Sequence, residues 1–326
     1  MPSRRSLLSY ALGSVALPSG MLEVRRASAR SASPELVGID GWLNTDAPLT
    51  IAGLRGKVVI AEFCTYSCTF WRRTLPYVNR WNAEYGPQGL QIIGIHTPEF
   101  RFERDRANVE SAMRELGVRY PIAQDNAYRT WRAWENRAWP SFYLLNRDGE
   151  VRLVREGEGH AQEMDDAIRG LLGLARDRSG QHPAEDADLS RVRTPEMEFG
   201  SLHPTLQDRA QSPRQGEAAY VIAHPGGPKL NEYDLDGSWA REEEALVLRS
   251  PRGKLRVRFS AAKLYLVAGA PRPAFISVSV NGGAKRTVEI GPPTLYTLLD
   301  GNRYGEHLLE LECPAPGLSL FSMTFG

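Results

Sequence analysis

Cysteine is scarce in this chain: Cys64, Cys68 and Cys313 are the only three among 326 residues. That is too few for a disulfide-stapled scaffold, and the odd number leaves at least one thiol free or paired with another molecule. Net charge is nearly absent as well. The 40 Lys and Arg against 39 Asp and Glu leave a formal +1, which offers no strong field for nucleic acid or anionic lipid. No basic stripe interleaved with aromatics occurs, so nucleic acid is not an expected partner. Phosphate-cradling GxxxxGK and GxGxxG motifs are missing. No spaced set of His, Cys, Asp or Glu makes a metal site, and neither metal nor cofactor is expected. Long apolar runs are missing too: no stretch reaches the roughly 20 residues a spanning helix needs, and no integral membrane segment is expected.

What is present suits two globular domains. The length is generous for one core and comfortable for two, and 42% apolar with 24% charged residues is ordinary globular composition. At the N-terminus, Arg4-Arg5 precedes an apolar stretch from Leu7 to Leu17, followed by Ala27-Ser28-Ala29. A charged start, a short apolar segment and an A-x-A site read as an export signal, and the paired arginines are twin-arginine-like. The competing readings are an uncleaved anchor or a helix of the mature fold. The expected location is exported, periplasmic or otherwise extracytoplasmic.

Residues 1–33 are assigned to this signal and a short tail. From 34 to 175 strands and helices alternate. Val58 to Phe63 is a short apolar run of the buried-strand kind, Cys68 to Tyr85 carries helical spacing, and Leu90 to Ile95 is the next strand. A charged helix is expected near Asp105 to Leu116, a short strand at Tyr120 to Ala123 and a short helix at Asn126 to Trp134. Ser141 to Leu145 and Val151 to Val154 flank Asn146-Arg147-Asp148-Gly149, a hairpin signal, and Gln162 to Leu174 closes with a helix. This order implies an α/β unit with a mixed sheet. Periodicity disappears over 176–200, which has linker composition. From 201 to 326 period-two alternation takes over, in Leu255 to Phe259, Leu264 to Val267, Phe275 to Val280, Leu308 to Leu311 and Leu318 to Phe325. With Asn281-Gly282 as a hairpin dipeptide, this half reads as an all-β sandwich or jelly roll.

The chemistry should lie where the first buried strand runs into a cysteine that opens a helix. Unpaired N–H groups and the positive end of the helix dipole favour a thiolate there, so Cys68 is the expected nucleophile, against the alternative of a buried structural thiol. His96 and Glu99 follow the C-terminal end of a strand, the side where open α/β sheets bind ligands. They read either as a proton shuttle near Cys68 or as loop residues making local hydrogen bonds.

This stretch resembles the thioredoxin active-site segment, strand–(W)CxxC–helix with a proline five residues after the second cysteine. Cys68 falls on the first cysteine, Pro76 on the helix proline, and Glu62 on the buried acid that aids proton transfer. Trp139-Pro140-Ser141-Phe142 resembles the cis-proline loop, which makes the Trp139–Pro140 bond a specific expectation. A closer resemblance is to DipZ-type periplasmic thioredoxin-like proteins, through Thr65-Tyr66-Ser67-Cys68, Gly94 to Phe100, Asp125-Asn126, Thr130 to Ala133 and Asn136 to Pro140. It resumes at Trp239, Leu295-Tyr296 and Phe321 to Gly326, which look like that group's C-terminal carbohydrate-binding-like domain.

The chain departs from the family where it matters most. Trp71 stands where the second cysteine belongs, so the resolving step of the dithiol cycle is broken. Cys64 is the only nearby substitute, and whether it could pair with Cys68 depends on backbone geometry. The resemblance then implies a thiol-disulfide oxidoreductase acting through Cys68 alone, with Pro140 holding a substrate backbone and Glu62 tuning proton transfer. Its partners would be protein or small-molecule thiols and disulfides, with a glycan added by analogy on Tyr220, Tyr233, Trp239, Tyr265 and Tyr296. Two alternatives stay open: a redox-inactive binding module using the cis-proline groove, and a one-cysteine peroxidase, for which Thr65-x-x-Cys68 has the spacing but Ala61 stands at the proline position.

Overall fold

The computed structural model of the chain describes residues 33–175, 188–202, 211, 216–222 and 224–326. The expected export signal and residues 176–187 of the expected linker lie outside the described residues.

The first half runs β1 (Gly41–Leu43), β2 (Val58–Cys64), α1 (Thr69–Tyr85), β3 (Leu90–His96), α2 (Arg106–Glu115), β4 (Ile122–Gln124), α3 (Arg129–Ala133), β5 (Ser141–Leu145), β6 (Val151–Glu156) and α4 (Ala161–Leu172). Its sheet has the order β1-β4-β3-β2-β5-β6. β2 pairs parallel with β3, β3 parallel with β4, and β5 antiparallel with both β2 and β6. All seven residues of β2 are buried, which explains the unbroken apolar run: a strand covered on both faces needs no polar alternation. Val58, Ile60 and Cys64 face one cluster with Trp71, Leu75, Val78 and Trp81 of α1. Val59, Ala61 and Phe63 face the other, with Ile93, Ile95 and Tyr143. Asp105 caps α2 through a bond from Ala107 N–H at 2.8 Å, and Gly149 takes a φ of 74° in the β5–β6 turn, which the absent Cβ permits.

The second half contains β7 (Met197–Glu198), β8 (Gly216–Tyr220), β9 (Tyr233–Arg241), β10 (Leu246–Leu248), β11 (Gly253–Gly269), β12 (Ala274–Val280), β13 (Arg286–Ile290), β14 (Thr294–Cys313) and β15 (Ser319–Phe325). They form one nine-stranded sheet, β13-β12-β14-β11-β15-β10-β9-β8, with β7 on β15. This half is all-β, as its alternation implied, but its strands are longer than the sequence suggested. Leu255 to Phe259 and Leu264 to Val267 belong to one 17-residue strand, carried through register shifts at Ala261/Lys263 and Leu264/Tyr265. The first part of β11 pairs with β9 and the last part with β15, so β11-β15-β10-β9 returns on itself. Bulges supply the bend that such closure needs. Packing of this half also begins before residue 201, because Met197 and Phe199 are fully buried in its core.

The two halves dock through the loops at the C-terminal ends of β2 and β3. Phe100 and Phe102 pack with Tyr265, Val267, Leu295 and Phe321, each buried aromatic contributing about 1.5–3 kcal/mol of transfer free energy. Tyr66 donates to Pro293 O at 3.2 Å, and the Arg72 guanidinium donates to Tyr66 O at 2.7 Å and to Thr294 Oγ1 at 2.8 Å.

Candidate active site

Cys68 is the residue before α1, extended at φ −72° and ψ 118°, and half-buried. Its Sγ lies 3.8 Å from the Trp139 carbonyl oxygen. The Trp139–Pro140 bond is cis, and Pro140 is buried beneath it. Cys68 and the cis-proline loop therefore meet as the sequence implied.

The electrostatics differ from the expectation. Burial pushes the Cys68 thiol well above its ordinary value, and the carboxylates of Glu99 and Glu196 push the same way. Backbone N–H groups of Trp71 and Phe70 act in the opposite direction and are outweighed. A helix start carries only about half a charge, whereas removing a thiolate from water into a buried site costs more. The expectation of a thiolate-rich Cys68 is corrected accordingly.

Behind the thiol, Trp71 fills the place of the missing cysteine. Fully buried, it donates from Nε1 to Glu62 Oε1 at 2.9 Å, and Tyr120 donates to Glu62 Oε2 at 2.8 Å. Burial raises the Glu62 carboxyl to about 7 despite those two bonds. Both oxygens of Glu62 are thus engaged, and the groups acting on Cys68 do not include it. Cys64 and Cys68 are both free thiols. Cys64 is fully buried in the α1-side core, its Sγ packed against Gly94, and burial pushes its thiol well up.

His96 is fully buried and stacked on Tyr66 with ring centroids 5.8 Å apart. Burial lowers it to about 3, so its imidazole stays neutral at neutral pH and does not take up a second proton. Neither ring nitrogen has a hydrogen-bond partner among the described residues. A ring this hard to protonate is a poor relay for Cys68, while Glu99 makes the local hydrogen bond of the other reading, its N–H donating to Glu103 Oε2 at 2.7 Å. Thr65 is buried; its carbonyl accepts from the Cys68 N–H at 3.3 Å, while no hydrogen bond joins its hydroxyl to the Cys68 thiol among the described residues.

The proposed sugar platform is corrected as well. Tyr220, Tyr233, Trp239 and Tyr265 are buried, with Trp239 Nε1 bonded to Asp236 O at 2.9 Å. Tyr296 is half-buried, its hydroxyl tied to Gly291 and Pro292. Aromatics on alternating strand positions went to the core, their commoner fate.

Sequence reasoning missed two residues. Arg72, one turn into α1, reaches across to the second half. Glu103, on a 3₁₀ turn at Arg101–Arg104, is fully buried and accepts from Ser67 and from the Glu99–Phe100 backbone. Nothing in a local pattern flags either, because their partners lie in other segments. A small cleft of about 240 Å³ opens beside Trp139 of the cis-proline loop, lined by Glu99, Tyr128, Glu198 and Glu244 among others.

These features define the class. Residues 41–154 match the AhpC/TSA family and residues 194–326 match the thioredoxin like C-terminal domain. The chain is a thioredoxin-fold redoxin carrying that C-terminal domain.

More particularly, it is a homologue of Protein DipZ of Mycobacterium tuberculosis (strain CDC 1551 / Oshkosh), 34% identical over 302 residues, which cover 90% of this chain and 43% of the relative. Protein DipZ of Mycobacterium bovis matches to the same extent, so the chain spans less than half the length of these relatives. It is also 26% identical to the thiol-disulfide oxidoreductase YkuV of Bacillus subtilis over 144 residues, 44% of this chain and 95% of that protein. A solved thioredoxin-like superfamily protein, 26% identical, aligns with 45% of this chain and 99% of its own at a TM-score of 0.41.

Proposed function

We propose that this chain is an exported thiol-disulfide oxidoreductase working through Cys68 alone. The observation that carries the reading is the pairing of Cys68 Sγ with the cis-proline loop at 3.8 Å while Trp71 occupies the resolving position. The Cys68 thiolate attacks one sulfur of a partner disulfide, forming a mixed disulfide and releasing the other sulfur as a thiolate. An external thiol then attacks that bond, leaves with the partner sulfur, and returns Cys68 as thiolate. A thiol held above its ordinary pKa is a poor leaving group, so the mixed disulfide should be long-lived. That suits capture and exchange better than rapid turnover.

Trp71→Cys tests the reading. Oxidised Trp71→Cys should lose the mass of two hydrogens through a bond to Cys68 and reduce insulin faster than the parent chain. Mass spectrometry of the parent should show a Cys68 adduct after exposure to a small disulfide. A parent chain that takes no adduct at any pH, although Trp71→Cys folds, refutes the reading. The second reading, a redox-inactive binding module, draws on the raised thiol: Cys68→Ser would then bind its partner as well as the parent does. A one-cysteine peroxidase is disfavoured by the same rise, since the thiolate is the peroxide-reactive form. Export is tested by N-terminal sequencing of protein recovered from the producing cell, which should begin shortly after Ala29.

A further inference from the structure

Glu103 is fully shielded from solvent, and both its oxygens are occupied. Oε1 accepts from the backbone N–H of Ser67 at 3.1 Å and from the Ser67 hydroxyl at 2.7 Å. Oε2 accepts from the backbone N–H of Glu99 at 2.7 Å and of Phe100 at 2.9 Å. The donors come from two loops more than 30 residues apart in sequence. Ser67 immediately precedes Cys68. Glu99 lines the cleft that Trp139 shares, and Phe100 begins the apolar contact with the β-rich half.

We propose that Glu103 is the positioning residue of this site: its one buried carboxylate fixes the loop that presents the Cys68 thiol against the loop that presents Glu99. The proposal rests on Cys68 being the reactive group. A carboxylate offers about four acceptor positions, and here four protein donors meet it. Charge-assisted bonds of this kind are short and directional, which is what holding two loops in register requires. Glutamine cannot replace it. One end of the amide still accepts from Ser67, but the NH₂ end meets the N–H groups of Glu99 and Phe100 donor to donor and must release that loop. The loop carries Glu99, whose carboxyl is pushed well above its ordinary range by burial and by Glu196, Glu103 and Glu198. It opposes the thiolate once both are ionised, so releasing the loop should make Cys68 easier to ionise. The other groups acting on Cys68 are Glu196 from the β-rich half, which is not held by Glu103, and Arg72 and Cys64, which feel it in turn.

The test is the pH profile of Cys68 alkylation by iodoacetamide in the full chain, with near-ultraviolet circular dichroism to check the fold. Glu103→Gln should lower the midpoint by about one pH unit, a roughly tenfold rise in rate on the rising limb of the profile. Glu99→Gln, with the clamp intact, should lower it similarly. The double variant decides: if Glu103 acts through Glu99, adding Glu103→Gln to Glu99→Gln should move the midpoint by less than about a third as much. Equal shifts in both backgrounds would mean that the Glu103 charge acts directly, and would overturn the proposal. So would an unmoved midpoint in a natively folded Glu103→Gln, which would make Glu103 a loop brace only. Should Glu103→Gln not fold, Ser67→Ala removes one bond and no charge. It should shift the midpoint in the same direction by a smaller step, and no shift there also overturns the proposal. The profile is read on the thiol itself. A Cys68 that shows these shifts yet forms no mixed disulfide counts against the oxidoreductase reading and leaves the positioning role standing.

Discussion

Two buried glutamates flank the Cys68 loop, and they are held in opposite ways. Behind the loop, Glu62 is locked inside the α/β core by Trp71 and Tyr120. In front of it, Glu103 gathers backbone and hydroxyl donors from two loops that also carry the contact with the β-rich half. The difference teaches where control of the thiol resides. The rear carboxyl, which the resemblance casts as a proton relay, is spent on seating the tryptophan that replaced the second cysteine. The front side sets the field at the sulfur, through Glu99 and Glu196, one from each half of the molecule.

The largest expected effect breaks the rear side. Trp71→Ala leaves a cavity in the core and removes one of the two bonds to Glu62, which should cost about 3–5 kcal/mol in urea unfolding. A loss near 1 kcal/mol would mean that the helix collapses into the space and that Trp71 is not the seal argued here.

Next comes the pH dependence of Glu62. Its carboxyl is raised to about 7 in the fold from an unperturbed 4.5. Below about 4.5 it is protonated in both states and contributes no penalty. As pH rises towards 7 the unfolded chain releases the proton while the folded one keeps it, so stability falls across that window and then levels off. The shift corresponds to roughly 3 kcal/mol. Other buried carboxyls share this sign, so the measurement is the difference between parent and Glu62→Gln. Urea midpoints taken from pH 4.5 to 8 should converge at the acid end, with Glu62→Gln gaining on the parent as pH rises. Parallel curves would show that Glu62 titrates normally and that the rear side is not dry.

On the front, Arg72→Ala removes the donors to Tyr66 O and Thr294 Oγ1. Leaving such groups unpaired costs about 1–3 kcal/mol. Protease sensitivity between residues 176 and 200 should rise with it, because the variant loosens the docking of the two halves. Unchanged proteolysis would separate Arg72 from that contact. The smallest effect belongs to the exposed Arg101, which pairs with Glu243 and Glu244. Arg101→Ala should cost under about 1 kcal/mol and less still at high salt. A larger loss would show that the rim, and not the aromatic cluster beneath it, holds the halves together.

Much of this protein was legible as sequence because the signals are local. The apolar run of β2, the helical spacing after Cys68, the Asn146 to Gly149 turn and the alternation beyond residue 250 each report a period or a turn chemistry that the backbone obeys wherever the segment ends up. The resemblance to the thioredoxin active-site segment, carried by a few contiguous residues, marked Trp71 as standing at the second cysteine's place and Pro140 as the cis residue. Tertiary structure decided what local patterns do not carry. The dipole at the start of α1 is a local fact that predicts a lowered thiol pKa; burial, and the carboxyl groups of Glu99 and Glu196 brought from other segments, reverse it. His96 has the residue type of a shuttle and lost that role to desolvation. No local pattern marks Glu103, which is the buried hub of two loops only because β3, α2 and the thiol loop pack together. Sequence fixes periods and residue types over a few turns of chain, whereas solvation and charge at a site are summed over every segment that folds against it.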